Sequence, residues 1–325
     1  MNIKVSVIVP AYNLQDYIAD CLKGLLNQET DFDYEVICVD DYSTDSTWQV
    51  IRALSNRYPH LKVFRNNKNL GLARTQKRLL ELARGGRIAY LDGDDVALPG
   101  KLQALENYMD VNPDCVLAYH EAEIFDSATG NILGYYSRDF YNVSAIPGKA
   151  NVEYLIQYGC FINASSFMFR RHEKLLDAID EQCRIILDYP WHILNALYLG
   201  GSIDFVEGVY GRYRMHDNSF GGQTRGSSQR RVQCLLDQIR AVENARRFGV
   251  SERIIEKGKA HHYFATALNF LKQGREDLFV EYIELASEKK VFFDERHKLA
   301  YQHRLEPAYV KKQLFGALTS AFANA

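Results

Sequence analysis

A chain of 325 residues with 47% apolar and 25% charged side chains has an ordinary globular composition, which excludes disordered, collagen-like and small disulfide-stapled classes. Its 39 Lys+Arg nearly balance 41 Asp+Glu, and the net charge of −2 offers no basic field with which to hold nucleic acid. Six cysteines without a Cys-x-x-Cys pair read as buried thiols in a reducing compartment, and no apolar run approaches the ~18 residues of a membrane span, so a cytoplasmic location is expected.

In chain order, apolar β-branched runs at Val5–Val9, Glu35–Val39, Lys62–Phe64, Arg87–Leu91 and Cys115–Tyr119 predict strands buried on both faces. Helical patterns fill the gaps. Ile18, Cys21, Leu22, Leu25 and Leu26 recur at helical spacing, and Trp48, Ile51, Leu54 and Tyr58 mark a second stripe behind Thr44, Asp45 and Ser46, each able to cap it. A third helix is expected over about 71–84 and a fourth after Pro99. This alternation implies right-handed βαβ units, hence an α/β fold with a mainly parallel sheet flanked by helices and ligands at the carboxyl ends of its strands. Beyond Gly222 only helical periods remain, as in Leu235, Leu236, Ile239 and Val242, so the chain divides into a domain over 1–222 and a helical region over 223–325. The second part carries 18 Lys+Arg against 12 Asp+Glu, and the first is acidic.

Two of the predicted strands end in carboxylates. One runs into Asp40-Asp41-Tyr42-Ser43-Thr44-Asp45 and the other into Asp92-Gly93-Asp94-Asp95, so both acidic clusters project from one edge of the sheet. Repulsion within them favours a hard divalent cation held by one or two carboxylates plus substrate phosphates. An Asp-Gly turn and a helix cap by Asp45 are the plain structural uses of the same residues.

The segments Val5–Asn13, Val39–Thr47, Asn69–Arg74 and Tyr90–Asp95 occur in the order and at the spacing that resemble family 2 glycosyltransferases of the GT-A fold, over about 1–220. The resemblance implies a nucleotide-sugar donor, a Mn2+ or Mg2+ ion and inversion at the anomeric carbon. It implies that Pro10, Ala11 and Tyr12 line the nucleoside pocket, with Asp41 accepting from a uracil-like imide, which favours UDP. It places Asp92 near ribose or metal, Asp94 on the metal, Asp95 beside it and Arg74 on phosphate. Asp188, in Ile186-Leu187-Asp188-Tyr189-Pro190-Trp191, resembles the family's acceptor-side acidic motif with Leu187 in place of Glu, and is the candidate general base. Tyr213–Ser219 resembles a segment that closes over the donor, with Arg214 on phosphate and His216 near the metal.

Other classes fit less well. A nucleotidyltransferase usually carries a Gly-rich loop after its first strand, and Pro10–Gln15 has no glycine. A non-catalytic glycan- or nucleotide-binding relative is the reading if Asp94 or Asp188 fails to face the cleft. The acceptor is expected to be a glycan or a lipid-linked sugar. Val310, Leu314, Leu318 and Phe322 recur every four residues beside Lys311 and Lys312, a basic amphipathic stripe that either lies on the inner face of a membrane or packs on the helical region or a second subunit.

Overall fold

The computed structural model describes residues 3–140 and 145–316. The first 126 residues give β1 (Val5–Ala11), α1 (Ile18–Leu26), β2 (Tyr34–Asp40), α2 (Thr47–Ser55), β3 (Leu61–Arg65), α3 (Leu72–Leu82), β4 (Arg87–Tyr90), β5 (Val96–Ala97), α4 (Lys101–Val111) and β6 (Cys115–Asp126). Then come β7 (Ile132–Tyr135), β8 (Lys149–Ala150), α5 (Val152–Tyr158), β9 (Phe167–Arg170), α6 (Asp188–Leu199) and β10 (Ser202–Met215). The rest is helical: α7 (Phe220–Arg225), α8 (Ser228–Asn244), α9 (Glu252–Lys272), α10 (Glu276–Ser287), α11 (Glu295–Gln302) and α12 (Pro307–Phe315).

The sheet runs β3-β2-β1-β4-β9-β6-β10-β5, with β7 on β6 and β8 on β10. Strands β3, β2, β1 and β4 are parallel, as are β6 and β10. The antiparallel β9 sits between β4 and β6. All of β1 is buried, because α1 packs Ile18, Cys21, Leu22, Leu25 and Leu26 on one face of the parallel half. Asp45 does serve the start of α2, where its Oδ1 accepts from Thr47 N at 2.9 Å. The short β5, β7 and β8 are not among the runs expected from the sequence pattern, and neither are β9 and β10. Strand β9 is four residues long, and β10 is interrupted by register shifts around Gly208, whose φ is +123°.

Two compact units emerge. One comprises the chain up to Val152, Cys160–Gln182 and Leu187–Gly222; the other comprises Glu153–Gly159, Cys183–Ile186 and the chain from Gln223. Within the helical unit Leu235, Phe264, Phe270, Phe279, Ile283 and Val310 form a core, with Leu314 and Phe315 packed against it. The described part of the C-terminal stripe is therefore inside that core, and Leu318 and Phe322 lie outside the described residues. No helix among the described residues is long and apolar enough to cross a membrane.

Candidate functional site

The carboxyl ends of β1, β2 and β4 adjoin, and their loops are stitched together. Asn13 N donates to Ser43 Oγ at 2.9 Å, and Thr44 N donates to Asn13 Oδ1 at 2.9 Å. Asn13 and Tyr42 both hold positive φ, 53° and 64°, a conformation costly enough for side-chain-bearing residues to mark a constrained site. Pro10 and Ala11 are buried at the end of β1. Tyr12 and Tyr42, by contrast, are 45% and 46% exposed, so these loops offer two aromatic faces to a planar ligand. Arg65 stacks over Tyr42 at 5.2 Å.

Asp41 is buried and works within the chain. Its Oδ1 accepts from Asn66 Nδ2 at 2.6 Å and Leu70 N at 2.8 Å, and its Oδ2 accepts from Gly71 N at 2.8 Å. These bonds fix the entry to α3, where Gly71 has a φ of +83° that favours glycine. One acceptor position on Oδ2 remains after these bonds. Arg74, on the first turn of that helix, is exposed and paired with Glu181 Oε2 at 3.1 Å, next to Lys77 on Oε1 at 2.6 Å. Its partner here is a carboxylate, and a pair this exposed holds weakly.

At the end of β4 the chain turns through Gly93, where a Cβ would come within 2.8 Å of Pro10 O. Only glycine lets this turn pass so close under β1, and the turn presents Asp92, Asp94 and Asp95 together. Asp92 N donates to Ser165 Oγ at 2.9 Å, and the Tyr90 hydroxyl donates to Asp92 Oδ1. Burial, reinforced by the Asp94 charge, raises the Asp92 carboxyl to about 7. Asp95 is raised for the same two reasons, burial first; its Oδ1 accepts from Arg214 N at 2.8 Å and its Oδ2 has no hydrogen-bond partner. Beneath the cluster lies Lys101, wholly buried and donating to Ser165 O. Burial lowers its ammonium to about 8 although Asp95 pulls the other way. Sequence reasoning passed over Lys101, since a lysine after Pro-Gly at a helix start reads as solvated.

β10 supplies the other wall. His216 Nε2 lies 3.0 Å from Asp94 Oδ2, and its ring packs on Tyr17 at 4.5 Å. Arg214, expected on phosphate, also braces the β4 turn. Its guanidinium is buried, Nε donates to Asp94 O at 2.7 Å, and Nη2 reaches Asp20 Oδ2 at 3.4 Å. Tyr17 and Phe125 lie 5.0 and 4.7 Å from it. Through Nε, Arg214 braces the Asp94 backbone, and its Nη1 takes no part in these hydrogen bonds.

Asp188 opens α6 and is half-buried. The N-cap is Leu187, and the Asp188 carboxylate meets its own backbone N–H and that of Tyr189 in the first turn. Burial raises its carboxyl above the ordinary range, and its charge is felt by Asp92 and Tyr90, which places it in the same electrostatic neighbourhood as the β4 cluster. Cys160 Sγ is 3.8 Å from its Oδ2. All six cysteines are free, as the lack of paired spacing implied.

The donor set of Asp94, Asp92 and His216 suits a hard divalent ion. A carboxylate such as Asp92, whose ionisation is suppressed by burial and by the Asp94 charge, gains from a cation, and an oxygen-rich ligand sharing it would complete its shell. Among the described residues, however, only Cys160, Asp188 and His192 bring three ligand atoms within 4.8 Å of one another. The β4 aspartates and His216 do not converge that closely.

Residues 6–176 match the sequence profile of glycosyl transferase family 2. An uncharacterized protein of Mycobacterium tuberculosis is 28% identical over 218 residues, which is 65% of this chain, and the chain spans 59% of that relative's length. The mannosyltransferase PcManGT from Pyrobaculum calidifontis, solved with GDP-Man and Mn2+, superposes with a TM-score of 0.62 at 17% identity, over 97% of this chain and 88% of that one. S. aureus TarS in complex with UDP-GlcNAc gives a TM-score of 0.60 at 18% identity, over 96% and 88%. At such identities the likeness establishes the fold.

Proposed function

The chain belongs to glycosyl transferase family 2, and we propose that it is an inverting enzyme that moves a hexose from a UDP-sugar to a hydroxyl of a glycan or lipid-linked acceptor. The observation that carries this reading is the 3.0 Å approach of His216 Nε2 to Asp94 Oδ2 beside Asp92, with the Asp188 carboxylate in the same field. Tyr12 and Tyr42 would flank the base, and the remaining acceptor position of Asp41 would take the uracil imide N–H. Asp94, Asp92 and His216 would hold Mn2+ or Mg2+ together with diphosphate oxygens. When bound, that cation would neutralise charge on the leaving diphosphate.

Asp188 would accept the acceptor's hydroxyl proton on the side opposite the diphosphate. Its raised proton affinity helps in this, since a base whose conjugate acid lies nearer the working pH transfers protons more effectively. Attack from that side displaces the diphosphate once, which inverts the anomeric centre. Asp95, Lys101 and Arg214 would keep the β4 turn in register.

Release of free UDP or GDP from UDP-Glc, UDP-GlcNAc, UDP-Gal, UDP-GalNAc and GDP-Man in the presence of Mn2+ tests the reading. UDP release from at least one UDP-sugar is expected. Release of GDP alone would overturn the assignment of UDP, and release of neither would overturn the activity.

A further inference from the structure

Asp188 and His192 stand four residues apart on α6, so their side chains leave the same helix face one turn from each other. Cys160 meets them there, with Sγ 3.8 Å from Asp188 Oδ2, and one ligand atom from each of the three lies within 4.8 Å of the others. The imidazole of His192 is wholly buried, packed edge-on against Phe167 at 4.4 Å, and neither ring nitrogen has a hydrogen-bond partner. A neutral imidazole carries one donor and one acceptor, and leaving both buried and unmet is unfavourable. A thiol, a carboxylate and an orphaned imidazole on one spot form the mixed sulfur, oxygen and nitrogen set preferred by zinc-like ions, in contrast to the oxygen-rich set at Asp94.

We propose that Cys160, Asp188 and His192 constitute a second divalent-metal site, suited to Zn2+ or Co2+ and separate from the one at Asp94 and His216. Bonds of ordinary length in a tetrahedral zinc site put ligand atoms about 3.3–3.6 Å apart, so the three groups close on an ion by movements of roughly 1 Å. Binding replaces the Cys160 S–H bond with a metal–thiolate bond and releases that proton to solvent, together with any proton on Asp188; a water fills the fourth position. The consequence for catalysis rests on the role proposed for Asp188. An ion there ties up the base, so zinc slows transfer while donor binding at the Asp94 site continues.

Titration of the full-length protein with Co2+ under a phosphine reductant tests the site without reference to activity. One equivalent is expected to give a sulfur-to-cobalt charge-transfer band with tetrahedral d–d absorption, displaced by Zn2+ and retained in Asp94→Ala. Cys160→Ser should abolish the band, and His192→Gln should weaken cobalt affinity by more than about tenfold. Near-ultraviolet circular dichroism checks that each variant is folded, and Cys160→Ala replaces the serine variant if that one is not. A missing band in the wild type, a band that survives loss of Cys160, or one lost in Asp94→Ala would overturn the site. Zinc that occupies it without slowing turnover would instead overturn Asp188 as the base.

Discussion

Arg214→Met separates a positioning residue from a phosphate contact. The substitution keeps the length of the side chain and removes its charge and donors. Lost with them are the Nε bond to Asp94 O at 2.7 Å and the cation–π contacts at 5.0 Å to Tyr17 and 4.7 Å to Phe125. A buried hydrogen bond from a charged donor contributes about 1.5–3 kcal/mol, and each cation–π contact about 0.5–1 kcal/mol. The Asp20 partner is 59% exposed and adds almost nothing. The expected loss of stability is therefore about 2.5–5 kcal/mol, read by denaturant unfolding monitored on the Trp and Tyr signal. Because Asp94 loses its backbone anchor, Mn2+-dependent UDP binding should fall by about tenfold or more in parallel. A variant that unfolds at the wild-type denaturant concentration yet fails to bind UDP would refute this reasoning and restore Arg214 as a phosphate ligand.

Glu35 is buried, and although burial alone would raise its carboxyl, hydrogen bonds from Lys62, Arg84 and Ser6 hold it down to about 2 from an ordinary 4.5. That depression corresponds to about 3 kcal/mol of stability, present above pH 4.5 and lost as pH falls toward 2, so the stability gap between wild type and Glu35→Gln should be widest at neutral pH and close steadily over that range. A gap independent of pH in urea unfolding would contradict it. Asp188→Asn keeps the shape of the side chain and should cut turnover by about 10²–10⁴-fold while leaving the UDP dissociation constant within about twofold, measured by initial rates and calorimetry. Wild-type turnover in that variant would place the base elsewhere.

The parallel half of the sheet was legible because buried strands write continuous apolar runs, as β1, β2 and β4 do, whereas β3, expected to be buried on both faces, lies at the sheet edge and is buried only at Leu61. β9 and β10 were hidden for opposite reasons, one too short to show a period and the other broken by Gly208 and its register shifts. The acidic strand ends could be read from their motifs. What surrounds them could not, since burial of Lys101 and Arg214 depends on elements far apart in sequence: Ser165 for the one, Tyr17 and Phe125 for the other. The family resemblance put Arg214 on phosphate, and what the sequence did not reveal is its Nε bond to the Asp94 carbonyl. The Asp188 and His192 spacing of four on one helix was a visible signal for a shared face, but its third member, Cys160, joins only through the fold. In the C-terminal stripe, Val310 proved to be core because the helical unit supplies Phe270, Phe279 and Ile283 around it.

The most direct test of a metal-assisted nucleotide-sugar site is calorimetric titration of UDP into the wild-type protein and Asp94→Ala, each with Mn2+ and with EDTA. In the wild type Mn2+ should tighten UDP binding by more than about tenfold, equivalent to about 1.4 kcal/mol, because carboxylates and diphosphate otherwise repel each other. Asp94→Ala should bind UDP weakly and equally with or without the ion. Tight UDP binding in EDTA that Asp94→Ala leaves unchanged would contradict the account.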